Sequence, residues 1–164
     1  VYFPGSTIGN FPKEEAGAFL REMARVAGPG GGLLIGVDLK KDRQVLHAAY
    51  NDAAGVTADF NLNLLTRINR ELGADFNTDA FAHDARWNEA EGRIEMHLVS
   101  RRPQTVHVAG ERFDFARGET LLTEYSCKYA LEEFLALAAP AGFELRRTWV
   151  DGREWFGVLY LVAR

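Results

Sequence analysis

Glu124 and Ser126 stand two residues apart in Thr123-Glu-Tyr-Ser-Cys-Lys128. On a strand that spacing puts both side chains on one face. A carboxylate beside a hydroxyl, under an apolar rim, can grip a heterocycle with ring N–H groups. The plain alternative is a solvated strand face, and Leu122 makes that face mixed. Asn10 follows a glycine-bearing turn, where its side-chain carbonyl either receives a ligand amine or serves a helix N-cap and the loop amides. Tyr50, beside Asn51-Asp52, either packs half-buried or donates its hydroxyl to a carboxylate. Met96 falls on a neighbouring predicted strand, facing the core, as filler or as a ligand contact. His47, His83, His97 and His107 are dispersed and make no metal-ligand spacing with one another or with Cys127, so no metal is expected. Ser6 lacks a nucleophile-elbow motif and an evident His–acid partner.

The elements that must position these residues start at once. Tyr2-Phe-Pro-Gly-Ser-Thr-Ile-Gly-Asn-Phe11 reads as a strand end, a turn and the approach to a helix, with Pro4 stopping the strand and Pro12 suiting a first helical position. In open α/β sheets, ligands collect at such carboxyl ends. Helical spacing over 13–26 places Ala16, Phe19, Leu20, Met23 and Val26 on one face. Gly28–Gly32 connects this helix to a buried strand at 33–37, which makes a βαβ unit with Asp38 at its carboxyl end. A short helix is predicted over 41–51 and a longer one over 57–72, with Phe60, Leu64, Leu65, Ile68 and Leu72 on one side and Gly73 as its C-cap. Residues 75–92 read as irregular, anchored by Phe81 and Trp87. From Arg93 the period is two, and turns at Gly110 and Gly118 predict an antiparallel meander ending near Ser126. A helix over 129–141 and a hairpin of strands 143–150 and 155–163, joined through Asp151-Gly-Arg153, close the chain. The division predicted is a core from 1–38 and 129–164, with 39–128 inserted over the sheet's carboxyl edge, where a substrate lid would sit.

The 164 residues carry a net charge of -4 with scattered Lys and Arg, which weighs against a nucleic-acid surface. Hydrophobic residues at 47% and charged residues at 26% are ordinary for a folded domain. One cysteine suits a reducing cytosol, and no apolar run approaches membrane-spanning length. A small-molecule partner in the cytoplasm is the expectation. A strand at residue 1 has no earlier partner strands, so the chain reads as part of a larger protein whose exposed sheet edge invites pairing with a second copy.

Several strings together go further. Phe3-Pro-Gly-Ser-Thr-Ile-Gly-Asn-Phe11, Leu34-Ile-Gly-Val-Asp-Leu-Lys-Lys-Asp42, Ala49-Tyr-Asn-Asp-Ala-Ala-Gly-Val-Thr57, Phe60-Asn, Asn69-Arg-Glu-Leu72, Ile94-Glu-Met96 and Thr123-Glu-Tyr-Ser-Cys-Lys128 resemble the histidine-specific methyltransferase family. Those enzymes use S-adenosylmethionine to trimethylate the α-amine of L-histidine, giving hercynine, the first step toward ergothioneine. The resemblance implies the C-terminal part of a class I, Rossmann-like α/β methyltransferase sheet with an inserted α+β substrate-binding lid. It implies that Asn10 binds the α-amine at the reacting centre, that Tyr50 binds the carboxylate, and that Glu124 and Ser126 hold the imidazole. Met96, Phe60 and Thr57 would line the pocket. The glycine-rich cofactor loop and the acid that holds the ribose would lie upstream, so this chain alone is expected to be inactive and to bind S-adenosylmethionine weakly. A related methyltransferase for another amino acid or amine, and a non-catalytic binding module without the cofactor half, are the competing readings.

Overall fold

A computed structural model describes residues 1–164. The chain divides into two compact units, Val1–Asp42 with Asn88–Ile94 and Tyr125–Arg164, and Arg43–Trp87 with Glu95–Glu124.

The first unit is built on a four-stranded sheet. Strand β1 (Tyr2–Phe3) stops at Pro4, which has no N–H to give a ladder. Helix α1 (Lys13–Ala27) begins with Glu14 and Glu15, whose carboxylates favour the positive end of the helix dipole, and ends at Gly28 with φ 71°. Its packed face runs through Ala16, Phe19, Leu20, Met23 and Ala27; Val26 is 60% exposed instead. Strand β2 (Gly32–Asp38) then pairs parallel with β1, Phe3 opposite Ile35, which completes the βαβ unit. Gly36 is where the chain after β1 crosses β2 closely. A Cβ there would meet the Pro4 carbonyl oxygen at 1.9 Å and the Phe156 ring at 2.7 Å.

The last two strands, β8 (Phe143–Val150) and β9 (Phe156–Ala163), form the expected hairpin, and the sheet order is β1-β2-β9-β8. The connecting turn is longer than Asp-Gly-Arg. The Asp151 carboxylate accepts the N–H groups of Arg153, Trp155 and Phe156 and so organises the whole of 151–155. Leu33, Ile35, Val37, Leu159 and Leu161 pack with Ala16 and Leu20 of α1 and with Phe134 and Ala138 of α4 (Leu131–Ala138) in one core.

The second unit holds α2 (Arg43–Tyr50), α3 (Val56–Leu72) and most of a sheet ordered β3-β4-β7, in which β3 is Phe81–Asn88, β4 Arg93–Ser100 and β7 Thr120–Cys127. Strand β3 falls where the sequence reads as irregular. It lies at the sheet edge, and Asn51 pairs with that edge as a strand residue would: its amide donates to the Ala85 carbonyl and accepts the Ala85 N–H, both at 2.9 Å. Residues 93–127 are extended, but they are not one meander. β4 neighbours β7 directly, while β5 (Gln104–Val108) and β6 (Glu111–Phe115) leave to form their own antiparallel ribbon after Arg101-Arg102-Pro103. Leu65, Phe81, Leu98, Val106 and Phe115 make this unit's core.

Helix α3 turns a different face inward than expected. Asn61 and Leu65 are buried, whereas Phe60 is 65% exposed, Leu72 55% and Leu64 39%. The reason is Asn61, whose amide is wholly engaged inside the unit.

Candidate functional site

At the carboxyl end of β1 the backbone turns through Ser6, held at φ 55°, where a non-glycine residue is uncommon. What holds it is a bond across the sheet end, because Ser6 Oγ accepts the Asp38 N–H at 2.8 Å. A 3-10 turn over Thr7–Asn10 follows. Gly9 is buried in it, and a Cβ there would sit 2.8 Å from the Cys127 carbonyl oxygen. Asn10 closes the turn and is exposed. It does not cap α1, whose N-cap position is Pro12 without a side-chain bond. The capping role considered for Asn10 is thereby removed.

Beside this turn lies a polar cluster centred on Lys128, a residue to which the sequence assigns no role. Lys128 has a fully buried side chain, yet its ammonium makes strong contacts, 2.6 Å to Asp38 Oδ2 and 2.7 Å to Ser126 Oγ. The other Asp38 oxygen pairs with Lys41, which also donates to the Trp155 carbonyl at 2.8 Å. A buried cation without such partners would be strongly unfavourable. Asp38 at the end of β2 was visible by position, but nothing local in the sequence pairs it with Lys128. Cys127, next along β7, is an inert neighbour: burial pushes its thiol above the usual range, away from thiolate chemistry.

In the second unit Glu124 lines a cavity of about 150 Å³ with Phe60, Asn61, Leu64, Arg67 and Thr123. With Asn63, its wall sets the apolar Phe60 and Leu64 among polar and charged side chains. Asn61 fixes it from behind. Its amide nitrogen donates to His83 Nδ1 at 2.9 Å and to the His97 carbonyl at 3.2 Å. Its oxygen lies 2.7 Å from Thr123 Oγ1, which is also 2.9 Å from the Met96 carbonyl. His83 Nε2 stands 2.7 Å from the Tyr50 carbonyl, an acceptor only, so Nε2 carries the proton and Nδ1 accepts. One chain of bonds thus links β7, α3, β3 and the end of α2.

Of the residues singled out in the sequence, Phe60 and Glu124 meet at this cavity. Tyr50 is half-buried, with its backbone in the Asn61–His83 chain. Met96 is buried and Thr57 stands in the first turn of α3, and neither lines the cavity. Asn10 and Ser126 belong to the first unit. Thr57 serves the helix start, where Asp52 accepts the N–H groups of Val56 and Thr57 at 3.0 and 2.8 Å. Those bonds, Thr57 first, hold the Asp52 carboxyl down to about 2. No group of three or more His, Cys, Asp and Glu is placed to hold a metal ion.

The family described as histidine-specific, SAM-dependent methyltransferase matches residues 1–163. The chain belongs to this family. Histidine N-alpha-methyltransferase of Mycolicibacterium smegmatis is 49% identical over 160 residues, which is 96% of this chain and 50% of that protein. The enzyme of the same name from Mycobacterium tuberculosis is 49% identical over 95% of the chain and 49% of its own length. The chain thus spans about half the length of the curated relatives it matches. Among solved structures, the CcbJ methyltransferase from Streptomyces caelestis superposes with a TM-score of 0.52 at 16% identity, over 100% of this chain and 60% of that one. At that identity the likeness speaks for the fold, and it places the family's Rossmann-like methyltransferase architecture on this mixed α/β chain.

Proposed function

We propose that the full-length protein is an S-adenosylmethionine-dependent N-methyltransferase that trimethylates the α-amine of L-histidine to hercynine, with this chain supplying the substrate-binding part. Glu124 carries the reading: it is a half-buried carboxylate facing a small, partly aromatic cavity, in the Thr123-Glu-Tyr-Ser126 string that the family resemblance assigns to the ring. The near-complete coverage by histidine N-alpha-methyltransferases at 49% identity supports the same substrate. In this reading residues 1–38 and 129–164 are core and 39–128 are the substrate-binding insertion, of which 39–42, 88–94 and 125–128 fall in the first compact unit.

Neither the glycine run nor Asp38 is open to an adenosyl group. The Gly28–Gly32 run precedes its strand, with Gly31 closed against the Ala27 carbonyl, and the Asp38 carboxylate is committed to Lys128 and Lys41. No residue here is assigned to the co-substrate. S-adenosylmethionine supplies an already activated methyl group, so little acid–base machinery is required. The amine must be neutral, in line and shielded from water. A free α-amine has a pKa of about 8, so losing its proton is inexpensive. Asn10, exposed at the carboxyl end of β1, orients the amine. Tyr50 fixes the carboxylate, and Glu124 and Ser126 read the ring, with Phe60 beside Glu124 at the cavity. An amino acid without ring N–H leaves Glu124 unpaired, which is the source of selectivity.

The test is methyl transfer by the full-length protein to histidine and to an amino acid lacking ring nitrogen. Glu124→Ala removes a charged acceptor, a loss on the order of 1.5–3 kcal/mol. Histidine affinity is expected to fall roughly tenfold to a hundredfold, and the preference for histidine with it. An unchanged preference would sink the assignment.

A further inference from the structure

We propose that Asn61 is a positioning residue for Glu124: its buried amide sets the rotation of α3 and grips β7 at Thr123, and so holds open the cavity between Phe60 and Glu124. The inference rests on the proposed reading of Glu124 as a substrate-binding residue and adds what keeps that carboxylate in place. Every residue it uses belongs to the second compact unit.

Asn61 is buried on a helix that has apolar residues to bury in its place. Successive helix positions lie about 100° apart, so Phe60 and Leu64 form the stripe next to Asn61 and Leu65. The stripe that points inward is Asn61 and Leu65, and Phe60 and Leu64 are left as cavity wall. A helix rolled by one position would send Phe60 and Leu64 into the core and close the space in front of Glu124. What opposes the roll is the amide. The His97 carbonyl can only accept, so the group 3.2 Å from it is the Asn61 amide nitrogen. The same nitrogen donates to His83 Nδ1 at 2.9 Å, and the amide oxygen is left facing Thr123. Rolling α3 would strand these partners together, and each stranded buried group costs its desolvation. An apolar side chain at position 61 has no such directionality.

The Thr123 bond carries the constraint to the strand. The Thr123 hydroxyl lies 2.7 Å from Asn61 Oδ1, and the next residue of β7 is Glu124. One hydrogen bond and one peptide unit therefore separate the Asn61 amide from the residue it positions. Asn61, Thr123 and Glu124 line the cavity together with Phe60. His83 anchors the other side by giving its Nε2 proton to the Tyr50 carbonyl, which leaves Nδ1 bare for Asn61.

The experiment uses the full-length protein and Thr123→Val, which keeps the shape of the side chain and removes its hydroxyl. In steady-state methyl transfer the KM for L-histidine is expected to rise roughly tenfold, the scale of one well-made hydrogen bond. The change should lie in KM, with kcat within about twofold of wild type. Thr123→Ser keeps the hydroxyl and should bring KM back to within about threefold. Asn61→Leu should raise KM at least as far as Thr123→Val, and adding Thr123→Val to it should raise KM no further, since both act through one bond. A merely structural Asn61 predicts a different split, a lower melting temperature for Thr123→Val with KM unchanged. That result overturns the proposal, as does a KM raised equally in Thr123→Ser. If Asn61→Leu does not fold, Thr123→Val and Thr123→Ser decide between them. A second arm needs no substrate. Carbon-13 NMR of the glutamate carboxyl groups, with Glu124 assigned by the signal lost in Glu124→Gln, should show one sharp Glu124 signal. That signal should shift or broaden in Thr123→Val and stay in place in Thr123→Ser. A Glu124 signal indifferent to Thr123→Val overturns the positioning role. If Glu124→Ala leaves the preference for histidine unchanged while the carboxyl signal still responds, the proposed function fails and the Asn61–Thr123 clamp stands.

Discussion

Asn10 and Glu124 are both polar and both reachable, yet the proposed function gives them different work. Asn10 sits on a turn whose backbone is tied down on both sides, by Ser6 to Asp38 and by the close approach of Gly9 to Cys127. A side chain on so fixed a turn is suited to holding a reacting group in line, where a displacement of an ångström is costly. In Asn10→Ala the expected loss is therefore in turnover: kcat should fall by about a hundredfold, while the preference for histidine over an amino acid without ring nitrogen stays as in the wild type. Steady-state kinetics with both substrates separate this from Glu124→Ala, which should act mainly on that preference.

The start of helix α3 shows how an element is set by one side chain. Gly55 supplies a left-handed turn with φ 75° and, having no side chain, caps nothing. Asp52, three residues earlier, takes over by accepting from Val56 and Thr57. Its carboxyl is held at about 2 against an ordinary 3.8. A depressed carboxyl stabilises the folded state above its unfolded value and stops doing so as pH falls through its folded value. The stabilisation from Asp52 should thus be complete above about pH 4 and disappear toward pH 2. Melting temperatures of wild type and Asp52→Ala, followed by circular dichroism, should differ at neutral pH and converge over that window. The gap should also shrink in high salt, since Asp52 is a surface group.

For the molecule as a whole, the first unit's stability depends on segments far apart in the chain. Lys128 and Asp38, 90 positions apart, join the ends of β7 and β2. Removing one partner of a buried ion pair costs about 3–5 kcal/mol. Lys41 still neutralises Asp38 after Lys128→Ala, so the lower end, about 3 kcal/mol, is expected. Replacing both Lys128 and Asp38 by apolar residues of similar volume should be milder than Asp38→Leu alone, which leaves the fully buried Lys128 without a carboxylate, while Lys41 loses Asp38 in both. Urea unfolding of the three variants checks the order. An Asp38→Leu variant milder than the double would remove the pair from the account.

The sequence by itself determined the elements whose cause is local. The periods of two and 3.6, Pro4, Gly28 and Gly73 mark β1, α1, β2, α3, β4 and the closing hairpin close to where they lie. The long strings around Asn10, Tyr50 and Glu124 carry the family. Tertiary structure alone decided what depends on partners distant in the chain. Strand β3 forms at 81–88 because β4 and the Asn51 amide satisfy its backbone, which its mixed side chains do not announce. The β5–β6 ribbon separates from β4 and β7, since alternation marks a strand without naming its neighbour. Asn61 is buried on a helix whose apolar spacing points to Phe60 and Leu64, because His83, the His97 carbonyl and Thr123 satisfy its amide. Lys128 reads as a surface lysine until Asp38 and Ser126 are brought to it. A hydrogen bond or ion pair between residues dozens of positions apart leaves no periodic trace in the chain, so only the folded molecule shows which polar residues are tied together.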